Sequence, residues 1–196
     1  MKARVESLQR MSDLARGQIE SRGDGLTQAA AQRVFQRLDL RTGHLRQGTG
    51  ERLPVCRYLD AVHTDMAAAA SPLPEIAAAF AAIEGDLRWM RRKGASPENQ
   101  PFYDGHANAM LIGPGGLEDR EDVMVGVSLM APHILYPDHD HPPEEVYLAF
   151  TDGAWWNAGM DWTEPGPGGL IYNSPGILHA MRSGPKPFLA LWMLPL

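Results

Sequence analysis

One cysteine, Cys56, stands in 196 residues, so the chain can form no internal disulfide and offers a metal no thiolate cluster. Nitrogen and oxygen are the donors left for any bound ion. Cys56 itself, in PVCRYLDAV, begins an amphipathic run with no polar partner nearby and reads as a small core residue. The chain also lacks an apolar stretch of the ~20 residues that a membrane-spanning helix requires. Its start, MKARVESLQRMSDLARG, has no apolar centre of the kind a secretory leader carries. A cytoplasmic protein with no membrane partner is the expectation. Basic residues are scarce beyond residue 100: residues 101–196 hold 3 Lys+Arg against 12 Asp+Glu, where residues 1–100 hold 15 against 12. An acidic half repels nucleic acid and can steer a cationic small molecule, although solubility alone accounts for it equally well. Internal repeats and low-complexity tracts are absent too.

What is present divides near residue 100. In the first half apolar residues recur at helical spacing, with breakers between the runs. Val5, Leu8, Ala15 and Ile19 form one stripe; Val34, Phe35 and Leu38 a second, with Thr27 as its expected N-cap; Val55, Leu59, Val62 and Met66 a third behind Pro54; Ile76, Phe80, Ile83 and Leu87 a fourth. After RRKGASPENQ the pattern becomes short apolar segments, NAMLIG, DVMVGVSLM, EVYLAF, GGLIYN, ILHAMR and FLALWML, divided by Gly- and Pro-rich turns. The expected fold is therefore α+β: a helical region, 1–100, packing on a small antiparallel barrel, 101–196.

The chemistry concentrates in YPDHDHPPEEVY, residues 136–147. Read plainly, it is either a solvated acidic turn or a metal site. Pro142 and Pro143 cannot donate to a ladder, so the chain should turn there and re-enter a strand at Glu145. A period of two places His139 and His141 on one face, and Glu145 and Tyr147 on one face of the next strand. If those strands pair as a hairpin, four metal-competent groups converge. Asp138, Asp140 and Glu144 alternate away and read as solvated or supporting. His179 follows in GGLIYNSPGILHAM. His133 reads as structural or cavity-lining, and His44, His63 and His106 as solvated or locally bonded.

HxHxxxE followed by a glycine, then GxxxxxPG and a histidine, resembles the paired motifs of the cupin superfamily, at positions His139, His141, Glu145 and His179. Loop lengths differ slightly: seven residues separate Glu145 from Gly153, and the run from Pro175-Gly176 to His179 is one shorter than the common pattern. The stretch YPDHDHPPEEVYLAF, with PGILHAM, is more specifically similar to the cupin-type dimethylsulfoniopropionate (DMSP) lyases of the DddQ type, which also carry a helical region before the barrel. That resemblance implies a carbon–sulfur lyase that eliminates dimethyl sulfide from DMSP and leaves acrylate. It implies one divalent ion, with zinc, iron and manganese the leading candidates, held by His141, Glu145, Tyr147 and His179. It implies Tyr136 as the base. Tyr147 is then a ligand or a group that swings aside for substrate. His139 stays open between ligand and orienting residue, since the general cupin pattern and the lyase pattern disagree on it.

The implied substrate is a zwitterion. Its sulfonium end is best met by aromatic faces, and Trp192 and Tyr103, with His139 beside them, are the candidates. The cupin pattern also serves non-haem metal dioxygenases, isomerases and non-catalytic ligand-binding proteins, and fold alone does not separate these. A ligand-binding cupin without turnover would leave Tyr136 without a task. Neither oligomeric state nor the duty of the helical half follows from the sequence.

Overall fold

The computed structural model describes residues 3–46 and 50–196. Two helices lead, α1 (Glu6–Arg22) and α2 (Gly25–Leu40). Helix α2 is capped by Asp24, whose carboxylate accepts the Thr27 backbone N–H at 2.8 Å. The expected cap, Thr27, is thus one turn inside the helix. Aspartate serves there because it satisfies a free N–H and sets a negative charge at the positive end of the helix dipole. After β1 (His44–Leu45), a 3-10 turn over Pro54–Tyr58 runs into α3 (Leu59–Ala67), followed by α4 (Leu73–Ala81), β2 (Trp89–Met90) and α5 (Gln100–Gly105). The apolar stripes are buried as expected, apart from Val5, which precedes α1 and is 41% exposed. Cys56 is buried, and burial raises its thiol pKa.

The remaining strands are β3 (His106–Ile112), β4 (Glu118–Asp119), β5 (Val123–Met130), β6 (Leu135–His139), β7 (Glu145–Ala149), β8 (Ala154–Asn157), β9 (Met160–Thr163), β10 (Leu170–Asn173), β11 (His179–Arg182) and β12 (Phe188–Pro195). They form two sheets. The larger runs β1-β4-β3-β5-β12-β7-β10 with β2 added beside β3; the smaller runs β6-β11-β8-β9. All six apolar segments marked in the sequence fall on strands of these sheets. Strands β8 and β9 and the two-residue β1, β2 and β4 escaped that reading; β9 is an edge with two exposed central residues and shows no apolar alternation.

Register fixes which face of the large sheet does what. Trp192 stands opposite both Tyr147 and Gly126, Ala190 opposite Ser128, and Asn108 opposite Ser128. These positions share one face by the period of two. The other face carries Val125, Val127, Leu189, Leu191, Met193, Val146 and Leu148, all buried, and α2 packs over β12, β7 and β10. Both faces are therefore covered, which is why DVMVGVSLM and FLALWML read as near-continuous apolar runs. Gly126 has no side chain because the Trp192 ring occupies the space: a Cβ there would lie 2.3 Å from Trp192 Cζ2. Among the described residues no helix is long and apolar enough to cross a membrane.

A buried ionic knot ties the helices to the sheet edge. Glu118 accepts from Arg4 at 2.6 Å and from Arg120 at 3.1 Å; Arg120 also donates to the carbonyls of Arg37 and Arg41 and forms a two-pronged pair with Asp122 at 2.7 and 2.8 Å. The Arg120 hydrogen bonds hold the Asp122 carboxyl down to about 2. A carboxyl whose folded pKa lies below its unfolded value stabilises the fold above that unfolded value and loses this contribution as pH falls. We expect denaturant-derived stability to decline between pH about 4 and pH about 2, more steeply than in Asp122→Asn. Equal slopes for the two proteins would refute this role for the pair.

Candidate metal centre

Strand β6 pairs with β11, and β7 pairs with β10 and β12, so the segment from His139 to Glu145 passes from one sheet to the other. The hairpin expected between these strands is not formed. Strand β6 also ends at His139, which leaves His141 in the turn rather than on the strand. Pro142 and Pro143, which lack N–H donors, cannot extend the ladder beyond this turn. His141 is held in the turn because its carbonyl accepts the Gly176 N–H at 3.0 Å.

Tyr136 and His139 are three apart, so simple alternation would send them to opposite faces. The ladder prevents this. His179 stands opposite His139, but Met181 stands opposite Tyr136, so β6 advances three residues while β11 advances two. The extra residue is a β-bulge, which re-aims side chains and is common beside functional sites. Tyr136 and His139 are both buried as a result, while Asp138 between them is exposed.

The three histidines are oriented alike. Nδ1 lies 2.9 Å from Pro137 O in His139, from Pro143 O in His141 and from Ile177 O in His179. A carbonyl can only accept, so each Nδ1 carries a proton, and in its neutral form each ring then presents a lone pair at Nε2. Two of these Nε2 atoms, those of His141 and His179, lie 3.2 and 3.3 Å from the same Glu145 Oε2. His179 Nε2 is buried, and despite that distance it makes no aligned hydrogen bond. Lone pairs converging on a buried carboxylate oxygen repel one another unless a proton or a cation stands among them. One ligand atom from each of His141, Glu145 and His179 lies within 4.8 Å of the others. This donor set fits one divalent ion.

These groups also set one another's charge. Burial disfavours charge on Glu145, but contacts from His141 and His179 outweigh it and bring the carboxyl down to about 2. Burial likewise works against charge on His141, yet Glu145 raises its pKa. His139 is pushed down to about 3, by burial first and by His179 second. Its ring centroid is 4.0 Å from that of His179, but it stands outside the close His-Glu-His group. Asn173 extends an amide to Glu145 Oε2 at 3.5 Å and is itself fixed by Asn157 at 3.0 Å.

A cavity of about 500 Å³ opens on this group, lined by residues of both sheets including Tyr136, His139, Tyr147 and Trp192. Burial pushes the Tyr136 phenol up to about 12, opposed by a hydrogen bond from Asn108 Nδ2 at 3.0 Å and by Arg92. Ser128 Oγ donates to Asn108 Oδ1 at 2.9 Å, so the amide is turned with its donor toward the tyrosine. Tyr147 is fully buried, and burial together with Glu145 holds its proton on well above the ordinary range. Tyr103 lies off this lining, its ring 3.9 Å beneath the Arg91 guanidinium.

Asn108, Ser128 and Arg92 were missed in the sequence. The first two had a signal, as polar residues inside otherwise apolar strands, and Arg92 had none within RRKGAS. Asp140 lines the cavity from an exposed position, while Glu144 is turned away and held by Arg33 and Tyr172. His106 is buried and locally bonded, while His133 sits exposed at a positive φ of 60°.

Two mostly antiparallel sheets with a His-Glu-His group where the chain passes between them define an α+β protein whose cluster suits a single metal ion. Within that class the chain belongs to the dimethylsulfoniopropionate lyase family, whose model matches residues 27–190. It is 32% identical over 114 residues to the DMSP lyase DddQ of Ruegeria pomeroyi, a match covering 58% of this chain and 57% of that protein. It is 33% identical over 107 residues to a putative DMSP lyase, DddL, of Cereibacter sphaeroides, covering 54% and 44%. The matches thus span about half the length of these curated relatives. The crystal structure of Ruegeria pomeroyi DddQ superposes with a TM-score of 0.77 at 23% identity, covering 97% of this chain and 91% of that one. The likeness in fold takes in the helices as well as the sheets.

Proposed function

We propose that this protein is a metal-dependent lyase that cleaves DMSP to dimethyl sulfide and acrylate. The observation that carries this reading is the placement of Tyr136 in the same cavity as the His-Glu-His group, with its oxygen accepting a hydrogen bond from an amide locked by Ser128. A non-catalytic cupin has no use for that arrangement.

A divalent ion, for which zinc, iron and manganese are suitable, would be held by His141, Glu145, Tyr147 and His179 and would supply Lewis acidity toward the substrate carboxylate. His139, its Nε2 free and its ring against His179, would orient the group or complete it. The chain's own residues handle the proton and the leaving group. Tyr136, as phenolate, takes a proton from the carbon beside the carboxylate. The electron pair of that C–H bond becomes the C=C bond of acrylate, and the C–S pair departs with neutral dimethyl sulfide. Tyr136 then returns the proton to water. A phenol with pKa about 12 is a weak source of phenolate at neutral pH. The Asn108 donor, the Arg92 charge and a nearby cation all shift it toward ionisation. Trp192, opposite Tyr147 on the ladder, offers an aromatic face to the sulfonium.

Purified protein given DMSP and each candidate metal in turn should release dimethyl sulfide to the headspace with an equal amount of acrylate in solution. Absence of dimethyl sulfide with every metal would sink the lyase reading and leave the cupin metal site standing.

A further inference from the structure

We propose that Arg92 is the residue by which this cavity selects a substrate bearing a carboxylate, a role that rests on the lyase reading for the identity of that substrate. Arg91 and Arg92 are adjacent yet treated differently. The Arg91 guanidinium donates to Tyr103 O at 2.7 Å and pairs with Asp104 at 3.6 Å. Arg92 turns into the cavity, its guanidinium carbon 5.8 Å from the Tyr136 ring centroid, and there it makes no hydrogen bond or ion pair with any described residue. It is partly buried.

This placement is built rather than incidental. The Arg92 backbone N–H donates to His106 Nε2 at 2.9 Å, and His106 is buried, bonded through Nδ1 to Phe102 O and stacked on the Phe102 ring at 3.6 Å. Phe102 in turn meets Tyr136 edge-on at 4.8 Å. The loop carrying Arg92 is therefore pinned against the wall that carries the proposed base. A half-buried guanidinium that meets a ring but no hydrogen-bond or ion-pair partner among the described residues favours an anion, and its planar fork matches a carboxylate. Glu145, the buried acid of the cavity, is already committed to His141 and His179. A substrate carboxylate has about four lone-pair sites, so engaging Arg92 leaves others for the metal group. Holding that end fixes the zwitterion's direction, with the sulfonium away from Arg92 and the carbon next to the carboxylate near Tyr136.

The test compares metal-loaded native protein with Arg92→Gln and Arg92→Lys, measuring acrylate affinity by calorimetry and steady-state kinetics on DMSP. Arg92→Gln should weaken acrylate binding and raise KM about 10- to 100-fold, with kcat changed only a few-fold, and Arg92→Lys should fall between. Unchanged acrylate affinity in Arg92→Gln overturns the proposal, as does a fall confined to kcat. Acrylate binding is read without turnover, so a protein that releases no dimethyl sulfide would sink the lyase reading while the anion-binding result still decides the role of Arg92.

Discussion

Replacing Tyr136 with phenylalanine should lower kcat on DMSP about 10²- to 10⁴-fold, the usual worth of a positioned base, while elemental analysis finds the metal content unchanged. The substitution is clean because the ring does the packing and the oxygen the proposed chemistry. The ring meets Phe102, His106 and His139 at centroid distances of 4.8, 5.5 and 4.8 Å, and phenylalanine keeps all three contacts. What goes is Oη and with it the acceptor for Asn108 Nδ2. That amide stays fixed by Ser128 and opens on the cavity, where water can replace the lost acceptor, so stability should fall by no more than about 1 kcal/mol. A variant that folds, keeps its metal and has lost turnover would isolate the proton transfer. Full turnover in Tyr136→Phe would remove Tyr136 from the chemistry and leave Tyr147, the other phenol in the cavity, as the candidate base.

How far the site could be read in advance depends on which distances are local. His141 and Glu145 are four apart around two prolines, and that spacing alone suggested a meeting point. His179 came from motif resemblance, because nothing within the chain indicates that β11 lies beside β6. Most of the longer strands were legible as apolar runs between Gly-Pro turns, whereas β8 and β9 were not. Their assignment to two sheets was not, since pairing is a long-range choice and a two-proline turn can lead back along one sheet or across to another. Tyr136 is the sharpest case. Strict alternation puts it on the wrong face, and only the bulge opposite the His179 to Met181 step turns it inward. A bulge leaves no reliable mark in the residues that form it, although Pro137 is compatible with one. Asn108, Ser128 and Arg92 depend on register and on a loop pinned by His106, and register is settled by partners absent from any local window. Trp192 could be placed because its strand is continuous and apolar, whereas Tyr103 was drawn away by Arg91, a contact between side chains twelve residues apart.

Glu145→Gln should abolish both metal retention and turnover while preserving the fold. Glutamine matches the shape of glutamate, so the buried position opposite Asn173 on the ladder stays filled. The chemistry changes completely. A carboxylate brought down to about 2 is ionised at every working pH and supplies the one formal negative charge of the His-Glu-His group, whereas an amide supplies none. Mutating residues that merely orient ligands typically costs 10- to 100-fold in metal affinity, so removing a charged ligand should cost more than about 100-fold. Without metal the variant need not be less stable than the metal-free native protein, because the glutamine N–H can donate to the Nε2 lone pair of His141 or His179, which the carboxylate cannot do. Chelation separates these effects. A bound ion stabilises the folded state according to its concentration relative to its dissociation constant, so a strong chelator should lower the melting temperature of the native protein and leave Glu145→Gln unmoved. A native protein whose melting temperature and activity both ignore the chelator, with no metal found by elemental analysis, would show that the two imidazoles and Glu145 share a proton rather than an ion.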